Sequence, residues 1–367
     1  MATKEKVIPK HQEIYQTLKG AIASGKYKTG QRLPSEAALV KTFGASRMTV
    51  NRALRELQLA GIIDRRAGSG SYVRPEIAGS YTFGLLIPEL GQTEIFEPIC
   101  RGMARAQETD GHHALLWGKS LPDAEHKASQ SAELCRQFVA QKVSGVFFAP
   151  LELTPGKDAA NRRIVETFRE AGIPVVLLDR DIVAYPARSE YDLIGIDNRR
   201  AGYAITSHLL GVACKKIIFV ARPGSAPTVD ARVAGYREAM LNTQMDWTPD
   251  FICRIDPLSK DVVRKLLDRL KPDGIVCAND FTAANLLKTL GELNVAVPQR
   301  VRLCGIDDVK YASLLAVPLT TVHQPCEKMG AEAIAAMIQR IRHPDTPARD
   351  ILLDFHLVVR ESSGARG

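Results

Sequence analysis

Between Ser46 and Gly61 the run SRMTVNRALRELQLAG gathers Val50, Ala53, Leu54 and Leu57 on one face of a helix. Arg47, Met48, Asn51, Arg52 and Arg55 spread over the other. A guanidinium pairs with phosphate or guanine and a carboxamide with adenine, so this face has the chemistry to read the edges of base pairs. An apolar face behind it is what a helix needs if it lies in a major groove and packs backwards on its own domain. A shorter helix precedes it, opening at Pro34, Ser35 and Glu36 and closing at Phe43 and Gly44. Ser35 is its cap, and Glu36 complements the positive end of its dipole. Gly44 and Ala45 form the turn between the two helices. From Pro9 to Gly25, Ile14, Leu18 and Ile22 recur at i, i+4, i+8 and predict a first amphipathic helix. After Gly61, the residues around Ala67, Gly68, Ser69 and Gly70 read as the glycine-rich tip between two short strands, a wing.

Charge supports this reading by where it sits. The 367 residues carry a net +8, and residues 1–78 hold 14 Lys and Arg against 6 Asp and Glu, which leaves 35 of each sign for the remainder. The whole excess therefore lies in the first fifth of the chain, as a polyanion binder requires.

The segment LPSEAALVKTFGASRMTVNRALRELQLAGIIDRRAGSGSYV, Leu33 to Val73, resembles the DNA-binding domain of the GntR regulator superfamily, and SRMTVNRALREL is similar to its HutC branch. The resemblance implies base reading by the amino end of the second helix and entry of the wing tip into the minor groove. It thus implicates Ser46, Arg47, Met48, Thr49, Asn51 and Arg52 with Gly68, Ser69 and Gly70, and matches Lys10, Ser35 and Glu36 to further DNA-facing positions. Two residues depart from the family pattern: Asn51 stands where Arg is frequent, and Ala37 where some members have Arg. Because Arg pairs two-pronged with guanine and Asn with adenine, Asn51 shifts the expected preference at its base step toward adenine, or holds phosphate.

Beyond RPEIAGS, Arg74 to Ser80, apolar runs such as FGLLIP, GVFFAP, PVVLLD, KIIFVA and GIVCAND alternate with helical stretches, the pattern of βαβ units and parallel sheets. Roughly ten strands imply two sheets, with ligands bound beyond the carboxyl ends of the strands. The segments PVVLLDRD, IGIDNRRAGYAITSHLLG, DARVAGYREAM, CANDFTAANLLKTLGELNVAVPQRVRLCGIDDV and PLTTVHQPCEKMGAEAIAAMI resemble the effector domain of LacI/GalR regulators, which has the type I periplasmic-binding fold. That resemblance implies a cleft between two lobes joined by three crossovers, here expected near residues 190, 315 and 350. It assigns Arg232 and Asp280 to the ligand, Phe96 to an apolar wall, and Asp179 with Arg180 to the loop facing it. A guanidinium and a carboxylate together grip neighbouring hydroxyls, which suits a sugar. Asp230 stands near enough to pair with Arg232, Asp280 could instead start a helix, Asp197 is a weaker candidate, and Asp307 and Asp308 read as a strand-end turn.

The expected fold is therefore α/β: a winged helix-turn-helix at 1–76, a linker at 77–80, a two-lobed periplasmic-binding-protein-like domain with two parallel sheets at 81–362, and a tail at 363–367. LacI-type regulators add a hinge helix that RPEIAGS is too short to form. The combination has the plan of arabinose-type repressors, so the expected function is a sequence-specific transcription regulator, a repressor released from operator DNA by a small carbohydrate, acting as a homodimer in the cytoplasm. A purine or a sugar phosphate is the alternative effector, and a sugar-binding protein without direct DNA regulation the alternative role. No GxSxG, GxGxxG or phosphate-loop motif is present, and the histidines lack metal spacing, which argues against an enzyme, a metal site and a cofactor. The seven cysteines form no CxxC pair and read as buried thiols; no apolar run is long enough for a membrane span.

Overall fold

The computed structural model describes residues 9–23, 26–28, 30–59, 62–66, 69–73, 81–87, 95–110, 113–118 and 127–364. They fall into two compact units that divide near Tyr81. In the first, helices α1 (Lys10–Ala23), α2 (Glu36–Phe43) and α3 (Arg47–Leu59) precede strands β1 (Ile63–Arg66) and β2 (Gly70–Val73). Ile14, Leu18, Val50, Ala53, Leu54 and Leu57 are buried in the core as the helical spacing predicts, Ile22 packs against it partly buried, and Leu39 of α2 with Ile63 and Val73 of the wing completes it. Ser35 caps α2 by accepting from the Ala38 N–H at 3.2 Å, and Gly44 ends it in the left-handed region at φ 57°. The wing strands pair antiparallel with Ile63 opposite Val73, and residues 31–33 hydrogen-bond along β2. Gly61, Ala67 and Gly68, the expected linker at 77–80 and the end of the expected tail lie outside the described residues.

The second unit has two lobes, each built on a parallel sheet. The first lobe contains β3 (Tyr81–Leu86), α4 (Phe96–Asp110), β4 (His113–Trp117), α5 (Lys127–Ala140), β5 (Gly145–Phe148), α6 (Lys157–Glu170), β6 (Val175–Leu178) and β7 (Asp192–Ile196). The second contains α7 (Asn198–Gly211), β8 (Ile217–Ala221), α8 (Pro227–Asn242), β9 (Ile252–Arg254), α9 (Lys260–Leu270), β10 (Gly274–Cys277), α10 (Asp280–Glu292), β11 (Arg302–Cys304) and β12 (Thr321–His323). The chain then returns through α11 (Cys326–Arg342) and β13 (Asp350–Leu353) before β14 (His356–Val358). The sheets run β13-β7-β6-β5-β3-β4 and β11-β10-β8-β9, with β12 and β14 as a separate antiparallel pair. Strands such as VVLL and GIVC are buried along their whole length because helices cover both faces, which explains apolar runs without alternation.

Three crossings join the lobes: β7 into α7 at about 197, β12 into α11 at about 324, and β13 into β14 at about 354. The first two fall later than the expected 190 and 315 because β7 and β12 continue to the crossing; β12, β13 and β14 have only three or four residues each and leave no apolar run to read. In each lobe a pair of helices crosses with backbones in contact. A Cβ on Gly202 of α7 would lie 2.0 Å from the Arg232 carbonyl oxygen of α8, and one on Gly102 of α4 would lie 1.9 Å from that of Glu327 on α11. The α7–α8 crossing sets the depth at which Arg232 enters the cleft.

Candidate effector cleft and DNA-facing head

The loops after β5 and β6 in one lobe, and α8, the β11 turn and the β12–α11 crossing in the other, bring a buried set of charged groups together. Arg232, 4% exposed, donates through Nε to Asn198 Oδ1 at 2.8 Å and through Nη1 to the Ala278 carbonyl at 2.6 Å; its Nη2 lies 3.6 Å from Asp307 Oδ1. Gln324 Nε2 donates to the same Asp307 oxygen at 2.7 Å. Across the cleft Arg180, 6% exposed, donates to Glu152 and lies over the Phe96 ring, 5.4 Å from its centroid. Glu152 Oε2 in turn accepts from the Ala226 N–H at the start of α8 at 3.0 Å, and the Leu153 N–H donates to the Gly224 carbonyl at 2.9 Å. The lobes are thus fastened directly, through a carboxylate that also holds Arg180.

Asp179 and Asp307 both sit at positive φ, 67° and 134°, in backbone regions that cost non-glycine residues about 1–3 kcal/mol each. Strain of this kind is tolerated where surrounding contacts over-determine it, and here it aims two carboxylates into one site. Burial pushes the Asp179 carboxyl up; Arg180 and Arg232 oppose the rise and Glu152 adds to it. Burial also pushes Asp307 well up, against Arg232 and with Asp280 and Asp179. Each arginine already has a carboxylate partner, Glu152 for Arg180 and Asp307 for Arg232. Three buried polar atoms here have no hydrogen-bond partner among the described residues: Asp179 Oδ1, Arg180 Nε and Gln324 Oε1. Buried polar groups are nearly always paired, so two acceptors and a donor left open in one place mark a site waiting for hydroxyl-type partners. A cavity of about 210 Å³ is lined by Asp179 with Asn198, Ala231, Tyr185 and Thr228, while Arg180, Gln324, Arg232 and Asp307 are not among its walls.

Four of the five expected ligand residues, Phe96, Asp179, Arg180 and Arg232, converge here. Asp280 belongs to a different network: its Oδ1 accepts from the Thr321 hydroxyl at 2.6 Å and its Oδ2 from the Val309 N–H at 3.1 Å, at zero exposure. It pins the strand-end turn, while Asp307, read from sequence as part of that turn, is the carboxylate facing Arg232. Asp308 does serve structure, held by His323 and Arg360. Asp230 pairs with Arg254 rather than Arg232, and Asp197 caps α7 through the Arg200 N–H. Glu152, Asn198 and Gln324 carry no sequence mark beyond their place after strand ends.

On the head, Met48 is 82% exposed and the Arg47 side chain 84%, side by side at the start of α3. Ser46 caps α3, accepting from the Thr49 N–H at 3.2 Å while its hydroxyl meets that of Thr49 at 2.8 Å. Arg52 is exposed and pairs with Glu56 one turn on. Lys10 pairs with Glu13 on α1, and Ser69 meets the Tyr72 hydroxyl at 2.7 Å. Gly70, at φ 122°, lies so close to Arg32 that a Cβ would come within 2.6 Å of its Nε. Glu36 lies between two arginines: Oε1 accepts from Arg65 Nη2 at 2.6 Å, and Oε2 is 3.6 Å from Arg47 Nε.

Residues 10–73 match the family described as "Bacterial regulatory proteins, gntR family", and residues 206–363 match "Periplasmic binding protein-like domain". The chain is a DNA-binding transcription regulator whose head matches the gntR-family model and whose larger domain matches the periplasmic-binding-protein-like model. The regulator is similar over nearly its full length to the arabinose metabolism transcriptional repressor of Geobacillus stearothermophilus, at 26% identity over 98% of this chain and 99% of the relative. It is 28% identical to the HTH-type transcriptional regulator CelR of Thermobifida fusca, over 87% of this chain and 89% of that one. A solved structure of a transcriptional regulator CelR–cellobiose complex superimposes with a TM-score of 0.64 at 26% identity, covering 86% of this chain and 90% of that one. These relatives are regulators, not enzymes, and no described helix of this chain is long and apolar enough to cross a membrane.

Proposed function

We propose that the regulator is a cytoplasmic repressor whose head, residues 1–76, holds operator DNA until an uncharged sugar enters the cleft of a sensor domain spanning 81–362, with 77–80 as linker and 363–367 as tail. Ser46, Arg47, Met48, Thr49 and Asn51 face the bases with the wing residues Gly68, Ser69 and Gly70, while Lys10, Ser35, Glu36 and Arg52 lie at the edges of that surface. In the cleft, Asp179, Arg180, Arg232, Asp307 and Gln324 meet the sugar against the wall of Phe96. The observation that carries the reading is the set of open atoms Asp179 Oδ1, Gln324 Oε1 and Arg180 Nε, which two sugar hydroxyls satisfy by donating to the first two and accepting from the third. Names of relatives that refer to arabinose and a bound cellobiose in a neighbour's structure agree with it.

A sugar phosphate fits less well, because both cleft arginines are already countered by carboxylates and a dianion would meet Asp179 and Asp307. A purine would want the Phe96 face that Arg180 covers. The regulator acts as a homodimer in this proposal; exposed Phe281 and Leu314 on the second lobe are apolar side chains that such a contact would cover. Isothermal titration of the full chain with free pentoses, hexoses and disaccharides, their phosphates, and nucleobases tests the assignment. Heat from at least one free sugar and none from its phosphate is expected; binding of phosphates or bases alone would overturn it.

A further inference from the structure

The wing strand β1 places Arg65 between the two helices of the head. Its Nη2 donates to Glu36 Oε1 of α2 at 2.6 Å, and its Nη1 donates to Asn51 Oδ1 of α3 at 3.1 Å. A guanidinium has only donors, so the atom of Asn51 facing it is the carbonyl oxygen, and the amide nitrogen is the atom left to turn outward. Glu36, about a quarter exposed, fixes the other end of the fork and also approaches Arg47, so Arg65 is held from both sides. Asn51 lies one helical turn after Arg47 and Met48, on the face those exposed side chains define.

We propose that Arg65 is a specificity-determining positioning residue: by holding the carbonyl of Asn51 toward the wing it orients that side chain to read the major groove with its amide N–H groups. A free asparagine recognises adenine two-pronged, accepting from N6 and donating to N7. With its oxygen drawn toward the wing, Asn51 leads into the groove with its N–H groups, which suit the acceptors of guanine, O6 and N7, while the oxygen's second lone pair is held away from the adenine amino group. The adenine preference that the residue type alone suggests is thereby reversed by a residue of the wing, fourteen positions further on. This rests on the reading of α3 as the groove-facing helix.

The test is selection of binding sites from a randomised double-stranded DNA library by the full chain at fixed salt. Asn51→Ala identifies the operator position that Asn51 reads as the one whose preference is lost. At that position the wild type selects guanine over adenine. Arg65→Lys keeps the charge but not the fork, and it raises adenine there by about tenfold relative to guanine, the discrimination that one two-pronged contact carries, with affinity near wild type. Arg65→Ala makes the same change in preference with weaker binding at every site. Wild-type selection of adenine, an unchanged base distribution in both Arg65 variants, or an Asn51→Ala variant that loses no position would each overturn the proposal. Failure of the wild type to select any motif would overturn the DNA-reading head itself and the proposal with it.

Discussion

Replacing Arg232 with methionine keeps the apolar stem and removes the charge, which isolates the electrostatic part of the cleft. The guanidinium serves Asn198, Ala278 and Asp307 while only 4% exposed, so the variant leaves one carboxylate and two further acceptors short of a partner. Breaking a buried ion pair from one side costs about 3–5 kcal/mol, most of it from the uncompensated charge that remains. For a domain of this size that is a fall of roughly 5–9 °C in the melting temperature of the sensor unit. The double variant Arg232→Met/Asp307→Asn removes the orphaned charge and should recover about half the loss, giving a coupling energy of at least ~2 kcal/mol. Chemical denaturation of the wild type, both single variants and the double variant closes the cycle, with operator affinity in the absence of sugar as the control. Since the head has its own core, that affinity should hold in all four proteins. A single variant within about 1 kcal/mol of wild type, or a double variant no better than the single, would show that Arg232 and Asp307 are not a desolvated pair; the typical surface pair is worth only about that much.

Three further outcomes follow from the same geometry. Glu152→Gln keeps the shape but loses the charge that holds Arg180 and weakens the bond to the Ala226 N–H, so sugar affinity measured by titration calorimetry should drop about tenfold or more; unchanged affinity would remove Glu152 from closure. Asp280, pushed by burial up to about 6 from 3.8, binds its proton more tightly in the folded chain, so its contribution to stability is present below pH 3.8 and is lost as pH rises through 6. The stability of wild type relative to Asp280→Asn should therefore fall by about 3 kcal/mol between pH 4 and pH 7, and a pH-independent difference in denaturation midpoint would contradict this. Gly202→Ala forces a Cβ onto the Arg232 backbone, and calorimetric melting should show a loss of about 2–3 kcal/mol with weaker sugar binding, whereas a neutral substitution would mean that α7 and α8 do not cross as closely as described.

Local features were readable from the sequence where the physics is local. The bounds of α2 follow from Ser35 and Gly44, a capping oxygen and a left-handed stop, and the observed helix ends at those two residues. The buried face of α3 follows from side-chain spacing. Sequence reading places Asp280 at the ligand and Asp307 in the strand-end turn, whereas the structure bonds Asp280 to Thr321 and Val309 and brings Asp307 to Arg232, a difference that is not local. Asn279 and Asp280 both look like helix-start residues, and only the partners of Asp280, Thr321 and Val309, 41 and 29 positions away, commit it to the turn. Asp307 gives no sign in sequence that it adopts φ 134° and turns toward Arg232. Glu152 was invisible for the same reason, since its role exists only once β5 and α8 face each other across the cleft. On the head, the residue type of Asn51 suggested adenine, and the contact with Arg65 that bears on this choice comes from another element.

In the proposed mechanism a sugar held in the cleft decides whether the head holds DNA. Fluorescence anisotropy of the full chain on a selected operator duplex, titrated with the free sugar that binds most tightly in calorimetry, tests it most directly. Operator affinity should fall at least about tenfold, a coupling near 1.4 kcal/mol, at sugar concentrations that saturate the cleft, and Arg232→Met should bind the duplex normally without releasing it. Saturation of the cleft with no change in operator affinity, or undiminished release in Arg232→Met, would contradict the account.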